Sequence, residues 1–557
     1  MASCRRTLCA CGCAALLCAL LLALALSLAL RHALRCSDGT FAHGAVSADS
    51  GTCSKIGRDI LQQGGSAVDG AIAALLCTSL LNPQSMGLGG GSIFTVREKS
   101  GKVTVINSRE TVPKVFKADL LKDCPVDFQM GSGSRWIGVP GEIRGYERAH
   151  SLFGRLPWAT LFQPIIKLAR EGIALPTVLN RYLLLLRKLG ETSPLRKLFS
   201  NENGTLLKEG DMLRFKQLAD TLEVIANQGP DAFYRGKIAR DLIQDVQDAG
   251  GTLSLEDLES YKVKVMDAWP VTLGDYDMYV PPPPAGGAVL SFVLNIMKGY
   301  DLDPSSVVGE QKTLMYHRYV EACKFANSRK RSIRDPAFSS DTEAFRMTKD
   351  ELADSVRGKI SSNKTHNSSH YSAGPSWDHM GTTHVSVLAE DGTAVSATST
   401  INHIFGSKVY SPKTGVILNN QLLDFCGLAD RILAGEQPPS SMAPVILHSA
   451  TRQKTLVIGA SGGSMITTGV ASAIMNHLWF GKDLKEAISA PVVFVDSKNA
   501  LKFEPDFDQD VVEALKALGH RVEKTKYFYN VVNAVTARGG CVGAVSDARK
   551  LGEAAGY

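Results

Sequence analysis

Sorted by how apolar and polar positions alternate, the chain predicts an opening apolar run, a largely helical middle and a C-terminal part begun by paired strands. Thr7 to Leu30 carries Ala, Leu and Cys almost without interruption and no charge, about the length a helix needs to cross a hydrocarbon core. Ser54 to Gln63 reads as a short helix closed by Gly64-Gly65. Ser66 to Leu81 reads as a second, very apolar helix capped by Ser66. Ser85-Met86-Gly87-Leu88-Gly89-Gly90-Gly91-Ser92 has the look of a dinucleotide loop. It follows a helix and leads into a strand, Ile93 to Arg97, the reverse of the required order, so it predicts a tight turn. A strand from Lys102 to Asn107 delivers Ser108-Arg109-Glu110. Helical patterns run from Gly141 to about Asp248, one strand is predicted over Val271 to Tyr279, and buried helices over Ala288 to Met297 and Thr313 to Arg329.

The sharpest change of pattern lies at Gly381-Thr382. A run rich in Ser, Asn, His and Gly, Ser361 to Asp378, stops there and a strand begins; Glu390-Asp391-Gly392 turns it into a second strand, Thr393 to Ile401. Glycine before threonine at such a border suits a chain that cuts itself. The Thr382 hydroxyl would attack the Gly381 carbonyl, and hydrolysis of the ester would leave Thr382 as a new amino terminus. Glycine tolerates the strained backbone and close approach this needs. An N-terminal threonine carries both a nucleophilic hydroxyl and an α-amine with a pKa of roughly 7.7–8.0, which suits a general base. Gly-Thr occurs six times in the chain, and only Thr382 stands at this kind of border. Farther on, the apolar strand Thr455 to Ile458 leads into Gly459-Ala460-Ser461-Gly462-Gly463-Ser464 and a helix from Ile466 to Trp479. That order aims backbone N–H groups at a phosphate or an oxyanion, or simply closes a tight turn.

With 557 residues, 44% hydrophobic and 21% charged, the chain has an ordinary globular composition. A net charge of +6 without a basic stripe gives no reason to expect nucleic acid. Arg5 and Arg6 before the apolar run predict an uncleaved signal anchor: a cytoplasmic tail over 1–6, a transmembrane helix over 7–30, and the rest outside the cell membrane as a single-pass type II protein. Five of the twelve cysteines fall in that tail and helix. The other seven are Cys36, Cys53, Cys77, Cys124, Cys323, Cys426 and Cys541, so at least one has no partner within the chain. Cys53 precedes one helix and Cys77 lies late in the next, so a bridge between them is reasonable. No metal-ligand spacing is present. Sequons at Asn203, Asn363 and Asn367 fit an extracellular surface.

Several segments together resemble the γ-glutamyltransferases (glutathione hydrolases), within the N-terminal-nucleophile hydrolase superfamily. They include Cys-Ser-Lys-Ile-Gly-Arg-Asp at 53–59, Val-Pro-Gly-Glu-Ile-Arg-Gly-Tyr at 139–146, Gly-Thr-Thr-His-Val-Ser-Val at 381–387, Pro-Ser-Ser-Met at 439–442 and Gly-Ala-Ser-Gly-Gly at 459–463. Asn82-Pro83-Gln84-Ser85-Met86 and the four-proline run before Ala285 look closest to the leukotriene-cleaving branch.

The resemblance implies an α/β (α+β) fold, the four-layer αββα sandwich, with a large subunit over 36–381 and a small catalytic one over 382–557 forming a heterodimer. It implies cleavage, without metal or organic cofactor, of the γ-glutamyl amide of glutathione and its S-conjugates, leukotriene C4 included. The acyl group would pass to water or to acceptor amino acids and peptides. Thr382 matches the nucleophile, Thr400 its supporting hydroxyl, and Gly462 and Gly463 the oxyanion hole. Arg109, Ser440 and Ser441 match the grip on the α-carboxylate, with the guanidinium as a bidentate fork. Asn402, Gln421 and Asp424 match the grip on the α-ammonium, and Cys53 and Cys77 match a disulfide. Two departures stand out: Gln421, where vertebrate members tend to have Glu, and a short covering stretch from Cys426 to Pro438. These departures leave a second class of function open, a non-catalytic surface protein that keeps the fold as a binding module.

Overall fold

Along the strand Thr383–Leu388, Val385 and Val387 join a core shared with the helix Ala67–Leu81. His384 and Ser386 face the other way, toward the main chain and side chains of a second sheet. That alternation, repeated in the neighbouring strand Ala394–Thr400, sets a sheet between a helical layer and another sheet. The computed structural model describes residues 36, 39–125, 131–372, 378, 380–524 and 530–557. The expected tail and membrane helix lie outside them, and no helix among the described residues is long and apolar enough to cross a membrane.

Both sheets have seven strands, all antiparallel. One runs Ala554–Gly556, Ala45–Ser47, Thr383–Leu388, Ala394–Thr400, Gly91–Arg97, Val103–Asn107 and Lys264–Asp267. The other runs Thr40–Phe41, Cys541–Val545, Val531–Arg538, Lys454–Ser461, Val445–Ser449, Tyr276–Val280 and Trp269–Leu273. Between them a small apolar patch, with Leu388, Ile446, Val457 and Val535, adjoins a layer of Ser, Thr and His side chains bonded across the gap. The second sheet is backed by the helices Gly287–Lys298, Gly309–Ser328 and Ile466–Leu478. The layers are α, β, β, α, the sandwich the motifs implied.

Most predicted elements recur with shifts of a few residues. Ser66 caps its helix reciprocally with Asp69, each side chain bonded to the other's backbone N–H. The single strand predicted over Val271 to Tyr279 is a hairpin instead: Gly274, at φ +63°, and Asp275 fold Trp269–Leu273 onto Tyr276–Val280. The polar run before Thr382 is anchored over 361–372 rather than loose. Buried Tyr371 and Thr365 both donate to Glu321, and Lys324 donates to Glu321 and Thr365. Residues 373–377 and 379 of that run lie outside the described residues.

Cys53–Cys77 is a disulfide. Two further bridges, Cys36–Cys541 and Cys124–Cys426, take cysteines for which the sequence offered no pairing, and Cys323 is left free and buried. Burial pushes its thiol up to about 12, which leaves it inert. Asn203, Asn363 and Asn367 are all exposed.

Candidate active site

Strand register builds the centre. Thr383 pairs with Ser399, which sets Thr382 opposite Thr400 at the sheet's end. The Thr382 hydroxyl donates to Thr400 Oγ1 over 3.0 Å, and the backbone N–H of Asn402 donates to the same oxygen over 2.8 Å. Thr382 has φ +84°, a costly conformation for a β-branched residue. Gly381 before it has φ +148°, and a Cβ there would stand 1.7 Å from the carbonyl oxygen of Asn402. Only glycine fits this junction.

The second sheet contributes the donor. Lys454–Ser461 ends in Gly462 and Gly463, at φ +126° and +57°, and a tight turn then starts the helix Ile466–Leu478. The Gly462 N–H donates to the Gly381 carbonyl oxygen over 2.9 Å. The glycine-rich turn is thus more than a packing device, because it polarises the carbonyl next to the nucleophile.

A cavity of about 570 Å³ opens beside Thr382. Thr400, Asn402, Gln421, Asp424 and Gly463 line it, as do Arg109, Ser440 and Ser441. Residues more than 300 positions apart in sequence meet there. Arg109 follows the strand Val103–Asn107, and Ser440 and Ser441 precede Val445–Ser449.

The charged groups are arranged differently from the expectation. In place of an open fork, Arg109 Nη2 donates to Asp424 Oδ2 over 2.5 Å and to the Pro439 carbonyl over 2.8 Å, while Nε donates to the Pro438 carbonyl over 3.1 Å. The two buried opposite charges bind each other. Nη1 makes no hydrogen bond among the described residues and is 4.0 Å from Glu110 Oε2. Gln421 Nε2 donates to Asp424 Oδ2 over 2.6 Å, which leaves its buried Oε1 without a partner among the described residues. That oxygen is an acceptor of the kind an ammonium needs, so the Gln-for-Glu departure keeps one. Asn402 Nδ2 donates to the Asn420 carbonyl over 3.1 Å, leaving Oδ1 as its accepting atom. The short stretch after Cys426 is pinned by the Cys124 bridge and by Arg334–Glu436, and its Leu428 reaches the cavity.

Sequence reasoning missed a buried group behind the nucleophile. Lys550 Nζ donates to the Thr382 carbonyl over 2.8 Å, to Asp49 Oδ2 over 2.6 Å and to Ser461 Oγ over 3.3 Å. Asp49 also accepts from Thr383 Oγ1 over 2.5 Å and from Asn533 Nδ2 over 2.7 Å. Nothing near either residue signals this, since the pair is brought together by the edge strand Ala554–Gly556 pairing with its neighbour Ala45–Ser47. His384, two residues from the nucleophile, is no base: it lies between the sheets, bonded to Thr398 and Ser386, and burial drives its pKa down to about 3.

A family model described as gamma-glutamyltranspeptidase matches residues 53–557. The chain is 47% identical over 552 residues to the glutathione hydrolase 5 proenzyme of Homo sapiens, covering 94% of each chain. It superposes on a cephalosporin acylase from Bacillus halodurans with a TM-score of 0.84 at 24% identity, over 94% of this chain and 97% of that one, a likeness of fold. With the gamma-glutamyltranspeptidase of Helicobacter pylori the TM-score is 0.54 at 27% identity, over 60% of this chain and 95% of that one. The match runs unbroken from the first disulfide through the Gly381–Thr382 junction to the last residue, and the chain belongs to the γ-glutamyltranspeptidase family.

Proposed function

We propose that this protein is an enzyme that cuts its own chain before Thr382 and then uses that residue to cleave the γ-glutamyl amide of glutathione and its S-conjugates. The acyl group passes to water or to an acceptor amine. One observation carries the reading: a strained threonine has its hydroxyl on Thr400 and the preceding carbonyl on the Gly462 N–H. A module that only binds has no need of that arrangement.

In the first reaction the Thr382 oxygen attacks the Gly381 carbonyl carbon and its proton moves toward Thr400. Negative charge gathers on the oxygen already held by Gly462, and the C–N bond breaks as the departing nitrogen takes up the proton released by the hydroxyl, giving an ester and a free α-amine. Water hydrolyses the ester. Relief of the backbone strain at 381–382 favours the cut.

In the second reaction the α-amine of Thr382 takes the hydroxyl proton while the oxygen attacks the γ-glutamyl carbonyl. The same oxyanion site serves again, with Gly463 completing it; one such donor contributes on the order of 3 kcal/mol. Arg109 Nη1, Ser440 and Ser441 hold the substrate's α-carboxylate; Asn402, Gln421 and Asp424 hold its α-ammonium. The ligand's two charges replace the contact between Arg109 and Asp424. The Lys550 ammonium, close to the new amine, disfavours its protonation and keeps it a base.

The division into a large and a small subunit follows from the cut. An extracellular, membrane-anchored location is supported by the apolar run over 7–30, three exposed sequons and three disulfides. The test is Thr382→Ala. It should run as one chain on a reducing denaturing gel and release no glutamate from glutathione, whereas the wild type gives two chains, the smaller beginning at Thr382. Normal cutting or turnover in the variant would defeat the reading.

A further inference from the structure

Three of the side chains lining the cavity carry charge: Arg109, Asp424 and Lys330. The first two bind each other, and their roles are accounted for by the two charges of a γ-glutamyl group. Lys330 has no such account. It follows the helix Gly309–Ser328 and reaches the cavity beside Val289, Ile333 and Leu428. Its ammonium makes no hydrogen bond and has no carboxylate within ion-pair distance among the described residues. Two carboxylates act on it only through longer-range fields: Asp378, whose Oδ2 accepts from the Ser497 N–H over 3.0 Å while its Oδ1 has no hydrogen-bond partner among the described residues, and Asp496, which pairs with Lys502 at 2.9 Å. Burial lowers its pKa, outweighing the opposing fields of Asp378 and Asp496, which lie beyond ion-pair distance. Such a group is poised for an anionic ligand.

Charge bookkeeping says which anion. A γ-glutamyl group is a zwitterion, and Arg109 and Asp424 match its two ends. Among the lining side chains one positive charge, that of Lys330, then remains. Glutathione also keeps one negative charge, the carboxylate that ends the cysteinylglycine leaving group. We propose that Lys330 is a specificity-determining residue that binds the terminal carboxylate of the leaving group, so that the enzyme prefers γ-glutamyl peptides to uncharged γ-glutamyl amides. The proposal rests on the γ-glutamyl reading of the site. The apolar wall around Lys330 strengthens the pairing by keeping water from it, as it strengthens any charge-assisted bond.

Three substrates test this: glutathione, glutathione with its terminal carboxylate converted to an amide, and γ-glutamyl-p-nitroanilide. On the wild-type enzyme the terminal amide should lower kcat/KM by about tenfold or more, the scale of a hydrogen bond between charged groups. Lys330→Met should lower the ratio of kcat/KM for glutathione to that for the anilide by a similar factor. It should also cost the terminal amide nothing relative to the anilide, and Lys330→Arg should restore the ratio. Equal turnover of glutathione and its terminal amide by the wild type would overturn the assignment without recourse to any variant. So would a terminal-amide penalty that survives whole in Lys330→Met. Failure of the wild type to release glutamate from any of the three substrates would instead bring down the γ-glutamyl reading, and this proposal with it.

Discussion

The Gly462 N–H and the Gly381 carbonyl oxygen are 2.9 Å apart, and they join the end of one sheet to the junction at the head of a strand in the other. The donor that would stabilise a substrate oxyanion is therefore already engaged on the chain's own carbonyl. On the proposed mechanism, chain cutting and substrate cleavage share one electrostatic device.

This sharing predicts the behaviour of Gly381→Ala. A methyl group there would fall 1.7 Å from the Asn402 carbonyl oxygen, so the carbonyl must leave Gly462 or Asn402 must move. We expect self-cleavage to slow by about a hundredfold, the loss of one oxyanion donor. The time course of subunit formation on reducing gels measures it, and cutting at the wild-type rate would separate the contact from the reaction.

Lys550→Met should act on both reactions. It removes the cation beside the Thr382 amine and leaves Asp49 buried and unbalanced, and both changes favour the protonated amine. The acidic limb of the kcat/KM profile, where the amine must be deprotonated, should therefore move to higher pH. A fall in rate with no movement of that limb would reduce Lys550 to a packing role.

Two of the three disulfides, Cys36–Cys541 and Cys124–Cys426, join segments on opposite sides of the 381–382 bond. The cut enzyme should therefore migrate as one species on a denaturing gel without reductant and as two with it. Subunits that separate without reductant would contradict both bridges. Removing one bridge by Cys124→Ala with Cys426→Ala should leave the subunits joined through the other.

Glu110 predicts a pH dependence of stability. Both carboxyl oxygens are buried without a hydrogen-bond partner among the described residues, and burial, only partly offset by Arg109 at 4.0 Å, raises its pKa from 4.5 to about 8. The folded chain thus keeps a proton that the unfolded chain gives up. This contribution is complete below about pH 4.5 and is lost as pH rises through 8. Glu110→Gln should reduce the fall in Tm between pH 5 and pH 9 by roughly 2 °C. Some fall should remain, because burial raises Glu142 to about 8 as well. An unchanged slope in thermal scans would show that Glu110 is already charged in the fold.

Much of this centre is legible in the sequence because its parts are local. Gly381-Thr382 announces itself by the change of pattern, and Gly462-Gly463 by the order of strand, turn and helix. The substrate contacts are legible through family motifs, although the pairing of Arg109 with Asp424 depends on burial that only the fold supplies. The hairpin at Gly274 was readable from Gly-Asp between apolar runs and went unread. Lys550, Asp49 and Lys330 sit in no motif. Their importance comes from what the topology sets beside them, and the two bridges across the 381–382 bond depend equally on long-range contacts.

Asp49 lies near the start of the described chain and Lys550 seven positions before residue 557, yet Asp49 holds the Lys550 ammonium that donates to the Thr382 carbonyl. A nascent chain still on the ribosome has Thr382 but lacks the clamp that fixes it. A chain that stops short of Lys550 carries Thr382 without the ammonium that holds its carbonyl, so removing that segment is expected to slow the proposed self-cleavage.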